Sequence, residues 1–183
     1  MQRKSSREIL AESFRELAQS RPADRITVQE ITQNCGYSPA TFYRQFRDKY
    51  DLIAWDYSAH CSAIMDNAGA DGKTWEAVMR EGCDYLCSQR KYIENLLQNT
   101  GGQDSFFRYM SLVNAQLVTQ AVTAKRGEET LSKELTVCIK VFAYGIAQLL
   151  CEFLAEPQTL SDADLPGYLC KALPEPLVPY LLT

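Results

Sequence analysis

The stretch Thr27–Leu52, TVQEITQNCGYSPATFYRQFRDKYDL, decides how this chain folds. Thr27 and Glu30 stand at the spacing of a capping box, in which each side chain satisfies a backbone donor at a helix start. Val28, Ile31 and Cys35 follow on one face at helical spacing. Asn34-Cys35-Gly36 closes that helix, since glycine suits the left-handed conformation of a C-terminal cap. Ser38 caps the next helix, with Pro39 at its first position, where a missing N–H costs nothing. Asp48 opens a further helix, and Asp51 lies near the positive end of its dipole. Three helix starts in so short a stretch predict a helix-turn-helix, a motif that lays its second helix in the major groove of DNA.

Upstream, Ser5 and Glu8 again have capping-box spacing, and Leu10, Phe14 and Leu17, flanked by Ile9 and Ala18, form an apolar stripe. Arg21-Pro22-Ala23-Asp24 breaks it. A lone helix of this length is marginal, so the stripe is expected to pack on Val28, Ile31, Phe42 and Phe46. Phe42 and Phe46 then turn inward, leaving Pro39, Ala40, Thr41, Tyr43, Arg44 and Gln45 on the outer face. Small Ala40 and Thr41 permit close approach to a base, and Arg44 and Gln45 can hydrogen-bond to base edges or phosphate. Tyr43, Lys49 and the N–H groups near Thr27 are natural phosphate donors. The same residues would also serve as the solvated face of a plain helical head, and spacing alone leaves both readings open.

Charge is divided along the chain. Its 183 residues carry a net charge of −4, yet residues 1–50 hold nine Lys/Arg against six Asp/Glu, a balance of +3, and the remainder ten against seventeen, a balance of −7. A basic head on an acidic body suits binding of nucleic acid by one end. No apolar run is expected to span a membrane: the longest, VFAYGIAQLLCEFLA, is too short and contains Glu152. MQRKSSREIL lacks the apolar core of a signal peptide, so a cytoplasmic location is expected. The seven cysteines include no Cys-x-x-Cys pair, and His60 is the single histidine, so neither a metal site nor a cofactor is expected. The cysteines read as small buried residues in a reducing compartment, with redox sensing as the minor alternative. Catalysis needs a poised base, a nucleophile and an orienting group, and no such set occurs, so the chain is not expected to be an enzyme.

The run ITVQEITQNCGYSPATFYRQFRDKYDL resembles the DNA-binding head of TetR-type transcription regulators. The resemblance rests on Thr27-Val28, Ile31, Gly36-Tyr37-Ser38, Thr41-Phe42-Tyr43, Phe46, Lys49 and Leu52, and covers the first third of the chain. It implies base-facing positions at Pro39, Ala40, Thr41 and Gln45, and phosphate-contacting positions at Thr27, Tyr43 and Lys49. With the capping Ser38 and the cationic Arg44, these make up the expected DNA-binding set. Cys35 departs from the family, which most often has Ala there.

The fold class expected is all-α: a three-helix DNA-binding head, residues 1–50, joined to a helical effector-binding and dimerisation body, residues 51–183. A connector helix from Asp48 to about Met65 leads to a break at Ala68–Gly72, and body helices follow from about Thr74, Tyr92 and Ser105. The segments YLCSQRKYIENLL, QDSFF and FAYGIAQLLCEFL are similar to the dihydroxyacetone kinase activator-type branch of the TetR group. That similarity implies a cavity for a small apolar effector, with Trp75, Met79, Tyr85, Tyr92, Phe107, Tyr109 and Met110 as wall candidates. Aromatic residues and methionines at helical spacing are also what an ordinary core contains. A last long helix, about Ser132–Leu154, is apolar nearly all round and is the expected dimer element through Phe142, Gly145, Ile146, Leu149 and Phe153. The expected partners are a pseudo-palindromic operator in double-stranded DNA, a second copy of the chain and a small effector, with no membrane. Repressor is the default sign, with an activator or a protein-binding adaptor as alternatives.

Overall fold

The computed structural model describes residues 4–66, 73–155 and 163–182, and the regular elements within them are helical. In chain order they are α1 (Ser6–Ala18), α2 (Val28–Asn34), α3 (Pro39–Gln45), α4 (Lys49–Met65) and α5 (Trp75–Ser88). There follow α6 (Arg90–Asn99), α7 (Phe106–Arg126), α8 (Lys133–Ala155), α9 (Leu165–Lys171) and the short α10 (Val178–Leu181). Turns of 3₁₀ helix at Ala23–Arg25, Gly102–Asp104 and Glu175–Leu177 punctuate the series. The expected all-α class is what the chain adopts. The break foreseen at Ala68–Gly72 lies outside the described residues.

The chain gathers into two compact units, the first comprising residues up to Ala59 together with Arg90–Phe106. Each local start in it follows from sequence chemistry. At α1 the Ser5 hydroxyl accepts from Glu8 N (3.3 Å) while the Glu8 carboxylate accepts from Ser5 N (2.6 Å). Leu10 and Phe14 point inward and are fully buried with Ile26, Ile31, Phe42, Phe46 and Leu52, as the apolar pattern requires. The unit is completed by α6, whose Tyr92, Ile93 and Leu96 are buried and whose Tyr92 ring meets Phe14 edge-on at 6.2 Å. The following loop is closed by Thr100, whose hydroxyl donates to Leu96 O (2.7 Å) and accepts from Phe106 N (2.8 Å).

A buried carboxylate lies inside this unit. Asp56 on α4 is 3 % exposed and accepts from Arg15 Nη1 of α1 at 3.0 Å, with the Tyr92 hydroxyl of α6 at 3.4 Å. A carboxylate out of water is tolerable only when paired and hydrogen-bonded, and here α1 and α6 supply partners to the carboxylate of α4.

The second unit comprises His60–Gln89 and the chain from Phe107 onward. Its core gathers Trp75 and Val78 of α5, Val118 and Val122 of α7, Leu135, Ile139 and Phe142 of α8, and Leu173, Leu177 and Leu181 near the C-terminus. Helix α5 lies along α9. The proline-spaced tail forms a 3₁₀ turn and α10, with Pro176 and Pro179 in first-turn positions where no amide donor is needed. At 23 residues α8 is long and apolar enough to cross a membrane, which corrects the expectation that no run would be. Core helices pass the same test, and Ile139, Phe142, Ala147, Leu150 and Phe153 are buried in this unit.

Asp56→Ala takes a buried ion-pair partner from Arg15 and a hydrogen-bond partner from the Tyr92 hydroxyl, so it should cost about 3–5 kcal/mol in urea denaturation at neutral pH. Arg47→Ala removes only an exposed pair with Asp51 (3.5 Å) and should cost less than about 0.5 kcal/mol in the same assay.

Candidate nucleic-acid interface

The site is built on α2, the turn after it and α3. Thr27 caps α2: its hydroxyl accepts from Glu30 N (3.3 Å) and donates to the Glu30 carboxylate (2.8 Å), which also accepts from Thr27 N (2.9 Å). Arg21 Nη1 reaches the same carboxylate at 2.7 Å. The Arg21 hydrogen bond, followed by those from Thr27, holds the Glu30 carboxyl down to about 2. At its other end α2 closes with Gly36 at φ +72°, Gly36 N bonding to Gln33 O (3.3 Å) and Tyr37 N to Thr32 O (2.8 Å). That paired closure requires a left-handed residue, which glycine supplies without a Cβ clash.

Ser38 Oγ accepts from Thr41 N (3.2 Å) and starts α3 ahead of Pro39. Phe42 is fully buried and Phe46 nearly so, which fixes the inner face. Arg7 pins the far end, donating to Gln45 O (3.0 Å) with its guanidinium over the Phe46 and Trp55 rings at 5.2 and 5.6 Å. Outward, the structure brings together Pro39, Ala40, Tyr43 and Arg44, all exposed, with Thr41 and Gln45 half-buried beside them. Tyr43 is 60 % exposed, with its ring edge against Phe42. Arg44 Nη2 rests on Thr41 Oγ1 at 3.0 Å. A seven-residue helix thus presents a small surface at its start, a phenol and a guanidinium, with an apolar underside that holds it at a set angle.

Lys49 stands differently from the expectation of an outward phosphate donor. Its ammonium donates to Ala23 O (2.9 Å), Ile26 O (2.9 Å) and Asp24 O, carbonyls of the turn ahead of α2. Burial pulls its pKa below the usual lysine value, against the opposing pull of Asp24 and Glu30. Arg7 and Lys49 as backbone clamps were invisible in the sequence, where each is one more cation in a basic stretch.

In the second unit a cavity of about 810 Å³ is lined by Met65, Trp75, Leu117, Ala121, Tyr180 and Leu181, with Lys73, Glu76 and Lys125 among its polar groups. Of the residues singled out as effector wall, only Trp75 lines it. Its indole N–H is buried without a hydrogen-bond partner among the described residues. Met79 packs on the adjoining core, Met110 is fully buried, and Phe107 and Tyr109 are half-buried on α7. Tyr92 belongs to the first unit, and Tyr85 stacks on His60 at 4.9 Å. The sequence placed all of these on apolar faces; packing buried Tyr92 and Met110 and left Met79, Tyr85, Phe107 and Tyr109 half-buried.

On α8, Phe142 and Phe153 fill the second unit's core, Ile146 and Leu149 are half-buried, and Gly145 is exposed. The outer apolar face is instead Val137 (59 % exposed), Val141 (66 %) and Tyr144 (40 %), spaced four and three residues apart. The cysteines are free thiols, and burial pushes Cys83 up to about 12 and Cys151 to about 11, far from a reactive thiolate at neutral pH. Among the described residues no cluster of His, Cys, Asp and Glu could hold a metal ion.

Helices α2 and α3 form a helix-turn-helix whose second helix carries an exposed polar face. Residues 9–54 match the family of bacterial regulatory proteins, tetR family, and the chain has the fold of the TetR-type transcription regulators throughout. By structure the whole chain is similar to the dihydroxyacetone kinase operon activator DhaS, at 17% identity and TM-score 0.66, covering 96% of this chain and 97% of that one. It is also similar to a TetR transcriptional regulator from Rhodococcus sp. RHA1, at 16% identity and TM-score 0.63, covering 98% and 100%. A third is the TetR family repressor AlkX from Dietzia sp. strain DQ12-45-1b, implicated in biodegradation of n-alkanes, at 16% identity and TM-score 0.60, covering 99% and 100%. No curated protein matches the chain by sequence.

The Glu30 cap makes a pH prediction. Its carboxyl titrates near 4.5 when unperturbed and near 2 in the folded head, so its stabilising effect is complete above pH 4.5 and disappears as pH falls through about 2. Thermal unfolding of the wild type and Glu30→Gln should differ at pH 6, with the gap closing between pH 4.5 and 2.

Proposed function

We propose that the chain is a dimeric transcription regulator that binds a pseudo-palindromic operator through α3, acts as a repressor and is released by a small-molecule effector. The observation that carries this reading is the outer face of α3, where Pro39, Ala40, Tyr43 and Arg44 are exposed beside Thr41 and Gln45 while Phe42 is buried beneath them. Pro39, Ala40, Thr41 and Gln45 face base edges in the major groove, and Tyr43 and Arg44 bond to flanking phosphates. Thr27 and Ser38 hold the starts of α2 and α3 against the backbone. Lys49, with its three donors engaged, is left out of the DNA-contacting set.

A second copy docks on the Val137–Val141–Tyr144 face of α8, with Gly145 allowing close approach and Ile146 and Leu149 flanking it. The effector occupies the cavity beside Trp75, whose N–H offers a donor to any acceptor it carries. Its differential affinity for two arrangements of the dimer sets how far it lowers DNA affinity. The likeness to AlkX, named a repressor, supports the sign chosen. The likeness to DhaS, named an operon activator, favours activation as the second reading. A regulator of this kind works in the cytoplasm, where its DNA is.

Selection from random duplexes with the full-length protein should enrich a two-fold sequence whose affinity falls steeply with salt. Gln45→Ala should relax preference at one base position per half-site, at a cost of about 1–3 kcal/mol there. Tyr43→Ala should weaken every sequence alike. Absence of any enriched sequence at low salt would remove the proposal. Val141→Asp should yield monomers in sedimentation and lose the two-fold site while the helical content is kept.

A further inference from the structure

The segment between α1 and α2 holds few hydrogen bonds of its own: Gln19 N and Ser20 N bond back into α1, and Arg25 N to Pro22 O (3.0 Å). Arg25 O accepts from the segment's own Arg21 (3.4 Å), and six further backbone groups from Ala18 to Ile26 are met by two side chains from elsewhere in the first unit. Asn95 of α6 donates through Nδ2 to Ala18 O and Arg21 O, both at 2.7 Å. Its Oδ1 accepts from Ala23 N (2.9 Å) and from Asn99 Nδ2 (2.9 Å). Both amide protons and both lone pairs are thereby used, the full capacity of an asparagine. From α4, Lys49 donates to the carbonyls of Ala23, Asp24 and Ile26. Ala23 and Ile26 are buried beneath, and the next residue, Thr27, is the N-cap of α2.

We infer that Asn95, together with Lys49, is a positioning residue for DNA binding: the two side chains clamp the turn of residues 18–26 and so set where α2, and α3 behind it, stand. Asn95 is more than seventy residues in sequence from Ala18, Arg21 and Ala23, which it bonds, and acts without touching DNA. The inference rests on the proposed DNA-binding function but makes a separate claim about where its accuracy comes from. A loosened turn lets the cap of α2 wander, and a major-groove contact misplaced by a fraction of an ångström loses its hydrogen-bond geometry.

The test uses the full-length chain and its selected duplex, at a temperature where every variant is folded by circular dichroism. Asn95→Ala should weaken binding about tenfold, the size of one net hydrogen bond's contribution, with the slope of affinity against salt unchanged because no phosphate contact is removed. Hydrogen exchange should quicken at the amides of residues 21–27 and stay as it was in the middle of α1. Ile93→Val, a core change on the same helix, controls for loss of stability alone and should leave both affinity and exchange in the turn unmoved. Lys49→Met should behave like Asn95→Ala, whereas a salt slope reduced by about one per site would return Lys49 to the phosphate-contacting set and overturn its part in the clamp. Asn95→Ala binding as tightly as the wild type would overturn the inference while leaving the DNA-binding function in place. A wild type that selects no sequence would overturn both.

Discussion

Helices of two turns do not hold their shape in water, and the surface that matters most here is carried by two of them. Both α2 and α3 are seven residues long, well below the length at which an isolated helix becomes stable. Their geometry is therefore imposed from outside and from the ends. Thr27, Glu30 and Ser38 satisfy the starting N–H groups, Gly36 closes α2, and Ile31, Phe42 and Phe46 fasten the inner faces. Arg7 holds the last turn of α3 by a carbonyl and two aromatic rings. The outer side chains of α3 contribute little to these restraints, which leaves them available for recognition.

The head does not end where the chain leaves α4. Helix α6 packs with α1 in the same unit, bringing Tyr92 to the buried Asp56–Arg15 pair and Asn95 to the turn before α2. Polar groups in such places cost stability unless every partner is present, and in return they favour one arrangement over near alternatives. An apolar contact between α6 and α1 could slide, but the four hydrogen bonds of Asn95 cannot all be kept in a second register.

In the second unit α8 serves two masters on opposite faces. Ile139, Phe142, Ala147 and Phe153 fill the core, while Val137, Val141 and Tyr144 stay in solvent. This exposed apolar stripe on a core helix is the face the proposed dimer would cover. Burial keeps the Cys83 and Cys151 thiols of this unit protonated.

Elements whose signal is local were legible in the residues themselves. The capping boxes at Ser5 and Thr27, the Ser38-Pro39 start and the Gly36 closure are chemistry within a few residues, and each is in place. Periodicity likewise identified Phe42 and Phe46 as inward and so gave the outer face of α3 by elimination. It did not distinguish core from cavity or from interface: Met110 and Phe142 read as wall and dimer contact yet are buried, and nothing in the period set the exposed Val141 apart from its apolar neighbours. Nor could it show that Lys49 turns back onto Ala23, Asp24 and Ile26, or that Asn95 meets Ala18 across the unit. Local hydrogen bonds are written in neighbouring residues and can be read there. Which of a helix's several apolar sides meets which partner depends on how helices distant in sequence pack, and only the tertiary structure decided that.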